Sequence, residues 1–286
     1  MLVTLNEVTV SYTDKKILDN VSFSINDNDK IGIVGINGTG KSTLLKTILG
    51  EVDIQSGEIF RKSGIKIAYL PQQPKFDENA SIIDTALKES KVDNEYEIKA
   101  MLSKLGIDNL DSKISTLSGG EKRRLALAIT LVKQCDLLIL DEPTNHLDIW
   151  MINWLEKYLT KWSKALLLVT HDRYFLERIT NKTLDIELGN VYLYDVNYSN
   201  YLNLKVERAE YQQANYRKLK AILKKEAAWA ALNPQARSTK STERLKRYYE
   251  LEDKTNKLKN NIKYDELKNI LGTVDEKKES VFLDFA

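Results

Sequence analysis

Residues 35–43 read GINGTGKST, and no other stretch restricts the possible folds as much. Gly35, Gly40, Lys41 and Ser42 satisfy G-x-x-x-x-G-K-[ST], the pattern of a loop whose successive N–H groups wrap a polyphosphate. Asn37, Gly38, Thr39 and Thr43 complete the same loop. Lys41 adds a point charge for the outer phosphates, and the Ser42 hydroxyl can ligate Mg²⁺. Such a loop belongs between a buried strand and a helix N-terminus. Residues 30–36 (KIGIVGI) form a short apolar run, and residues 42–49 (STLLKTIL) have helical spacing. The alternative is an ordinary glycine-rich turn; the complete pattern with both flanks weighs against it.

The rest of residues 1–204 repeats the strand–helix alternation. Apolar runs at 65–70, 137–140 and 165–170 read as strands between helical stretches, which predicts a parallel sheet covered on both faces. Gly189-Asn190 before 191–194 predicts a hairpin. No run of 18 apolar residues occurs, so no membrane-spanning helix is expected. The start, MLVTLNEVTVSY, alternates like a strand and lacks a basic-then-apolar signal segment. The one cysteine, Cys135, excludes an internal disulfide and suits a reducing, cytoplasmic compartment. Its apolar surroundings predict a buried, inert thiol.

Composition changes after residue 204. Between 205 and 260 there are 15 Lys/Arg against 7 Asp/Glu, a local charge of +8 in a chain whose total is +2. This segment has no glycine and one proline, Pro234. Tyr216, Leu219 and Leu223, and then Tyr248, Leu251, Thr255, Leu258 and Ile262, recur every three and four residues, as in the seam of two packed helices. With a break at 232–235, residues 205–262 read as an antiparallel helical hairpin, each arm of about 25 residues extending roughly 37 Å. Lys224, Lys225, Arg237, Lys240, Arg244, Lys246 and Arg247 crowd its far end around Trp229. A solvated helix face is the ordinary reading of such a run. The scarcity of acids and the aromatic among the bases favour contact with RNA or DNA, by phosphate pairing and stacking. Residues 263–286 read as a connector ending in an apolar, strand-like terminus.

Two further constellations belong with the phosphate loop. Residues 136–148 read DLLILDEPTNHLD, so an apolar strand delivers Asp141 and Glu142 to its carboxyl end, where parallel sheets bind ligands. Asp141 can hold Mg²⁺, and Glu142 can orient and polarise an attacking water. Residues 117–124 read LSGGEKRR; Ser118, Gly119 and Gly120 offer a hydroxyl and bare N–H groups at a helix start suited to a phosphate.

Taken in order, these motifs resemble those of the ATP-binding-cassette (ABC) ATPases. The resemblance implies that Tyr12 stacks on adenine and that residues 35–43 are the Walker A loop. It makes Gln72, in AYLPQQP, the Q-loop glutamine near Mg²⁺ and water. Residues 117–121 become the family signature, and Asp141 and Glu142 the Walker B aspartate and catalytic glutamate. Residues 145–148 become the D-loop, and His171 the switch histidine at the γ-phosphate. DEPTNHLD at 141–148 and THDRYFL at 170–176 are similar to the ABC-F subfamily, whose members carry two cassettes on one chain. AWAALNPQARSTK at 228–240 is similar to the interdomain linker of its Uup-like branch. The expected fold is therefore an α/β P-loop ABC nucleotide-binding domain with a mixed sheet, followed by an antiparallel α-helical hairpin. A second cassette would lie beyond residue 286. Only 46 positions separate Gln72 from Ser118, so the helical arm that many ABC-F proteins carry there is expected to be missing.

The resemblance implies ATP and Mg²⁺ as ligands, a site shared by two cassettes, and slow hydrolysis by one cassette alone. It also implies a ribosome-associated translation factor whose hairpin points at tRNA. Rival readings are an ATPase acting on branched DNA, the ATPase subunit of a membrane transporter, and a non-hydrolysing scaffold. The ABC-F strings and hairpin weigh against the transporter, and the intact Glu142 against the scaffold.

Overall fold

The computed structural model describes residues 1–12, 15–92, 94–187, 189–231 and 239–261. Contacts divide the chain into two compact units, Met1–Tyr198 and Ser199–Ala286. The first unit begins with β1 (Val3–Tyr12), β2 (Lys15–Ile25) and β3 (Lys30–Val34), then α1 (Lys41–Leu49), β4 (Ser56–Arg61) and β5 (Ile67–Leu70). Helices α2 (Ile82–Ser90), α3 (Glu95–Lys104) and α4 (Gly119–Val132) follow. The unit ends with β6 (Leu137–Asp141), α5 (Ile149–Thr160), β7 (Ala165–Val169), α6 (Arg173–Ile179), β8 (Lys182–Glu187) and β9 (Asn190–Tyr194).

Six strands form one mixed sheet in the order β5-β6-β7-β3-β8-β9. Its neighbours are parallel except for the closing β8–β9 hairpin. The central strands show why the sheet must be covered twice. Successive side chains on a strand point to opposite faces. Leu138, Leu140, Leu166 and Leu168 enter the core made with α2 to α6, while Leu137, Ile139, Leu167 and Val169 enter the opposite core. All ten residues of β6 and β7 are buried, which explains their unbroken apolar sequences.

The second face departs from the expectation of helices alone. There α1 shares the core with a separate antiparallel sheet, β2-β1-β4. Val3, Leu5, Val8 and Val10 of β1 and Leu18, Val21 and Ile25 of β2 supply its apolar side. The alternation in MLVTLNEVTVSY marked a strand, but its sheet partners lie at sequence distances that a period of two does not encode.

The second unit is helical. The helix α7 (Tyr198–Ala231) has 34 residues and α8 (Thr239–Asn261) has 23. The first is longer than the expected arm because nothing between residues 198 and 231 breaks a helix. The helix α8 folds back on α7: Arg244 makes a bidentate ion pair with Glu226 at 2.7 and 3.0 Å, and its guanidinium lies 4.1 Å over the Trp229 ring. Along the expected seam Thr255 is buried and Tyr216, Leu219, Leu223, Tyr248, Leu251 and Leu258 are half-buried. The break at Pro234, Arg237, Ile262 and the connector at 263–286 lie outside the described residues.

Candidate functional site

The strand β3 stops at Val34 because the chain turns at Gly35, whose φ is 154°. A side chain there would place its Cβ 2.8 Å from both the Ile186 carbonyl oxygen and Thr39 Oγ1. The loop then runs into α1 through Gly40, at φ 106°, where a Cβ would sit 2.7 Å from Ile17 Cγ2. Glycine at both positions therefore answers to backbone conformation and to close packing.

Gly40 also leaves the start of α1 open. Helices α2 to α6 are each capped by a side chain, of Ser81, Asn94, Ser118, Asp148 and Asp172 in turn, that accepts a backbone N–H of the first turn. The helix α1 has no side-chain cap. Its orphan N–H groups and its positive dipole end are suited to an anion. The Lys41 ammonium lies over the same loop, donating to the Gly35 carbonyl at 2.6 Å. Partial burial pushes its pKa down, while Glu142 and Asp141 act in the opposite direction.

The strand β6 brings Asp141 and Glu142 to this loop, both buried. Burial raises the Asp141 pKa and the neighbouring Glu142 adds to the rise; Arg123 and Lys41 oppose it. Glu142 has a left-handed φ of 54°. For a residue other than glycine this costs of order 1–3 kcal/mol and persists only where the surroundings impose it. Here the Glu142 N–H donates to the Val169 carbonyl at 2.8 Å, and Arg123 donates to the Glu142 carbonyl at 2.9 Å. The turn after β7 is tied to the turn after β6 by the Thr144 and Thr170 hydroxyls, 3.2 Å apart. That arrangement sets His171 Nε2 3.4 Å from Glu142 Oε1, with the imidazole largely exposed.

These groups surround one cavity of about 520 Å³, within the roughly 300–1,000 Å³ usual for ligand sites. Asn37, Gly38, Gly40, Lys41, Ser42 and Thr43 line it from the phosphate loop, and Gln72, Asp141, Glu142 and His171 from the strand ends. The Ser42 hydroxyl, Gln72 amide and Asp141 carboxylate are hard oxygen donors of the kind Mg²⁺ takes. Gly35 shapes the loop from behind, and Thr39 ties it by donating to the Ile36 carbonyl at 2.8 Å.

Besides Gly35 and Thr39, four expected residues are not in the cavity wall. Tyr12 sits half-exposed at the end of β1, and Ile17 of β2 forms the wall instead. Ser118, Gly119 and Gly120 begin α4 away from this cavity. The Ser118 hydroxyl accepts from the Glu121 N–H and donates to the Glu121 carboxylate at 2.7 Å, a capping box that draws the Glu121 pKa down. Sequence reasoning missed Ile17, Val169 and Arg123. Ile17 and Val169 carried only strand-like signals, and Arg123 lay in a basic run with nothing to show where it pointed.

On the hairpin, Lys224, Lys225, Lys246 and Arg247 are exposed. Arg244, expected beside them as a phosphate contact, is engaged by Glu226 and Trp229, so the base and the aromatic satisfy one another. Lys240 belongs to α8, and Arg237 falls outside the described residues.

Comparison with known proteins gives a consistent result. A family described as ABC transporter matches residues 18–145, and a companion family with the same description matches residues 184–265. The ABC transporter ATP-binding protein YfmR of Bacillus subtilis, itself described as uncharacterized, is 37% identical over 86% of this chain and 46% of its own length. The energy-dependent translational throttle protein EttA of Mycobacterium tuberculosis is 34% identical over 89% of this chain and 53% of its own. The ATP-binding protein Uup of Buchnera aphidicola is 34% identical over 98% and 49%. The chain thus spans about half the length of these curated relatives. Among solved structures, the ATP-binding subunit of an ABC transporter superposes with a TM-score of 0.62 over 68% of this chain and 90% of that one, at 23% identity. A bacterial Atm1-family ABC exporter with ATP bound gives 0.63 over 71% and 40%, at 22% identity. These likenesses establish the nucleotide-binding fold.

Proposed function

The chain belongs to the ABC-F family of ABC ATPases, and from that membership we propose that its cavity binds Mg²⁺-ATP and hydrolyses it. The observation that carries this reading is the convergence of residues 37, 38 and 40–43 with Gln72, Asp141, Glu142 and His171 on one cavity. The uncapped start of α1 and the Lys41 ammonium hold the β- and γ-phosphates. Ser42, Asp141 and Gln72 hold Mg²⁺, which when bound neutralises charge developing on the phosphate oxygens. Glu142 orients the attacking water and polarises it as a base. His171 contacts the γ-phosphate beside it. Tyr12 stacks on the adenine.

Ser118, Gly119 and Gly120 serve a second nucleotide, one held by the phosphate loop of another cassette, and this chain's own nucleotide is closed by that cassette's signature. Their position outside the cavity supports this division. ATP then acts as a joint between cassettes, since it stabilises the paired state by its contacts to both. The cassette is residues 1–204, the hairpin 205–262 and the connector 263–286.

The hairpin's free cations meet nucleic acid, and the translational role in the name of EttA favours the ribosome and its tRNA, in the cytoplasm, over branched DNA. Among the described residues no helix is long and apolar enough to cross a membrane. The test of the chemistry is Glu142→Gln. It should keep ATP binding within about threefold while turnover falls by roughly 10²–10⁴, the usual worth of a general base. Turnover at the unsubstituted rate would refute hydrolysis at this site.

A further inference from the structure

Arg123 has no part in the chemistry described above, yet it is tied to the backbone of the residue at its centre, Glu142. It lies in the second turn of α4, five residues beyond Ser118. One guanidinium nitrogen, Nη2, donates to the carbonyl oxygens of Asp141 at 3.2 Å and of Glu142 at 2.9 Å. These are backbone acceptors, so the bonds fix peptide planes and leave the carboxylates to the cavity. Glu142 is held on both sides of its Cα. The Val169 carbonyl takes its N–H, and Arg123 donates to its C=O. Both clamps act on a residue whose φ is left-handed, 54°, and whose carbonyl also accepts from the Asn145 N–H at 3.4 Å. The first belongs to the sheet and moves with it. The second belongs to α4, the helix that opens with Ser118, Gly119 and Gly120.

A second contact joins the same two elements. A Cβ added at Gly120 would lie 3.4 Å from His146 Cβ, and His146 too has a left-handed φ, of 65°. The start of α4 therefore abuts the turn that leaves β6 at His146. Burial lowers the Arg123 pKa while Asp141 and Glu142 raise it, which fits a cation lodged behind two carboxylates.

We propose that Arg123 is a positioning residue: it fixes the backbone of Glu142 and makes the aim of that carboxylate depend on where the signature helix α4 sits. The proposal rests on the reading of this cavity as the hydrolytic site. Because α4 also carries the surface that would close a neighbour's nucleotide, a displacement of α4 reaches this chain's own water-orienting group through two hydrogen bonds. The cation need not touch substrate to do this.

The experiment compares the full chain with Arg123→Met and Arg123→Lys. Two readouts are used: steady-state ATP turnover and amide hydrogen exchange of segments 139–147 and 30–45. Arg123→Met is expected to lower kcat at least tenfold with KM for ATP within twofold. Exchange should rise in 139–147 and stay unchanged in 30–45. Arg123→Lys keeps the charge and one donor, and should recover a clear part of both effects. A purely structural role predicts equal losses from the two variants and faster exchange throughout the unit. Unchanged exchange at 139–147 in Arg123→Met would overturn the proposal, whether or not the chain hydrolyses ATP. Absent turnover in the unsubstituted chain, with exchange altered as expected, would instead count against the hydrolytic reading and leave the clamp standing.

Discussion

In the first unit Asp141 and Glu142 are 4% and 6% exposed and are held by strand ends, a lysine and an arginine. In the helical unit Lys224, Lys225, Lys246 and Arg247 stand in solvent. The two regions use charge differently. A buried carboxylate gains its effect from geometry and low dielectric, so its loss is large and local. An exposed cation gains its effect from the sum over many phosphates, so each loss is small and depends on salt. Arg244 of the hairpin departs from this: it is spent on Glu226 and Trp229 within its own unit.

The strongest way to break the comparison is to disturb the sheet that holds the buried groups. Leu167 is fully buried on β7. Leu167→Ala should cost about 2–5 kcal/mol of stability, read as a melting point lower by roughly 4–20 °C. No exposed lysine of the hairpin, replaced by alanine, should approach that.

Next in size is Lys41→Ala. Removing a charge-assisted contact should weaken ATP binding by about 1.5–3 kcal/mol, or roughly 10–100-fold, in a fluorescent-nucleotide titration. Smaller per residue is charge reversal on the hairpin. Lys224→Glu, Lys225→Glu and Lys246→Glu together should release the chain from ribosomes while ATP binding is retained. Each lost phosphate contact should reduce the slope of log affinity against log salt by about 0.7–0.9. Unaltered cosedimentation would remove the hairpin from nucleic-acid recognition, and a preference for branched DNA in competition would redirect it. Arg244→Glu should differ from these by lowering hairpin helicity, because it breaks an internal pair.

The smallest effect is acid sensitivity of that pair. The hydrogen bonds from Arg244 hold the Glu226 pKa below its ordinary value. A depressed carboxylate contributes stability that is fully present above its unfolded pKa and is lost as pH falls through the folded one. Helicity of the hairpin, followed by circular dichroism, should therefore decline on acidification below the ordinary glutamate range. Glu226→Gln should flatten that decline.

The same contrast explains what could be read from residue order. The phosphate loop, the acids after β6 and His171 after β7 were legible because each is a short string whose chemistry is local, delivered by an apolar strand. Cys135 was legible in the same way: it is buried, and burial pushes its thiol pKa up to about 11. Ile17 was not, since it reaches Gly40 from a strand of another sheet. Neither was Arg123, whose carbonyl partners lie 18 and 19 positions away. On the hairpin, charge counting identified a basic segment but could not separate Arg244, neutralised by a neighbour on the facing helix, from Lys246, which is not. Ser118 was legible as a helix start; that its hydroxyl is taken up by Glu121 follows from the capping box, a second reading of the same letters.

The claim on which the rest depends is that two cassettes must close on each nucleotide held by this one. ATP turnover per chain, measured across a wide range of protein concentration with Mg²⁺ present, tests it directly. The account predicts a rate per chain that climbs with concentration and is abolished by Glu142→Gln. Brisk turnover that stays the same at every dilution would contradict it.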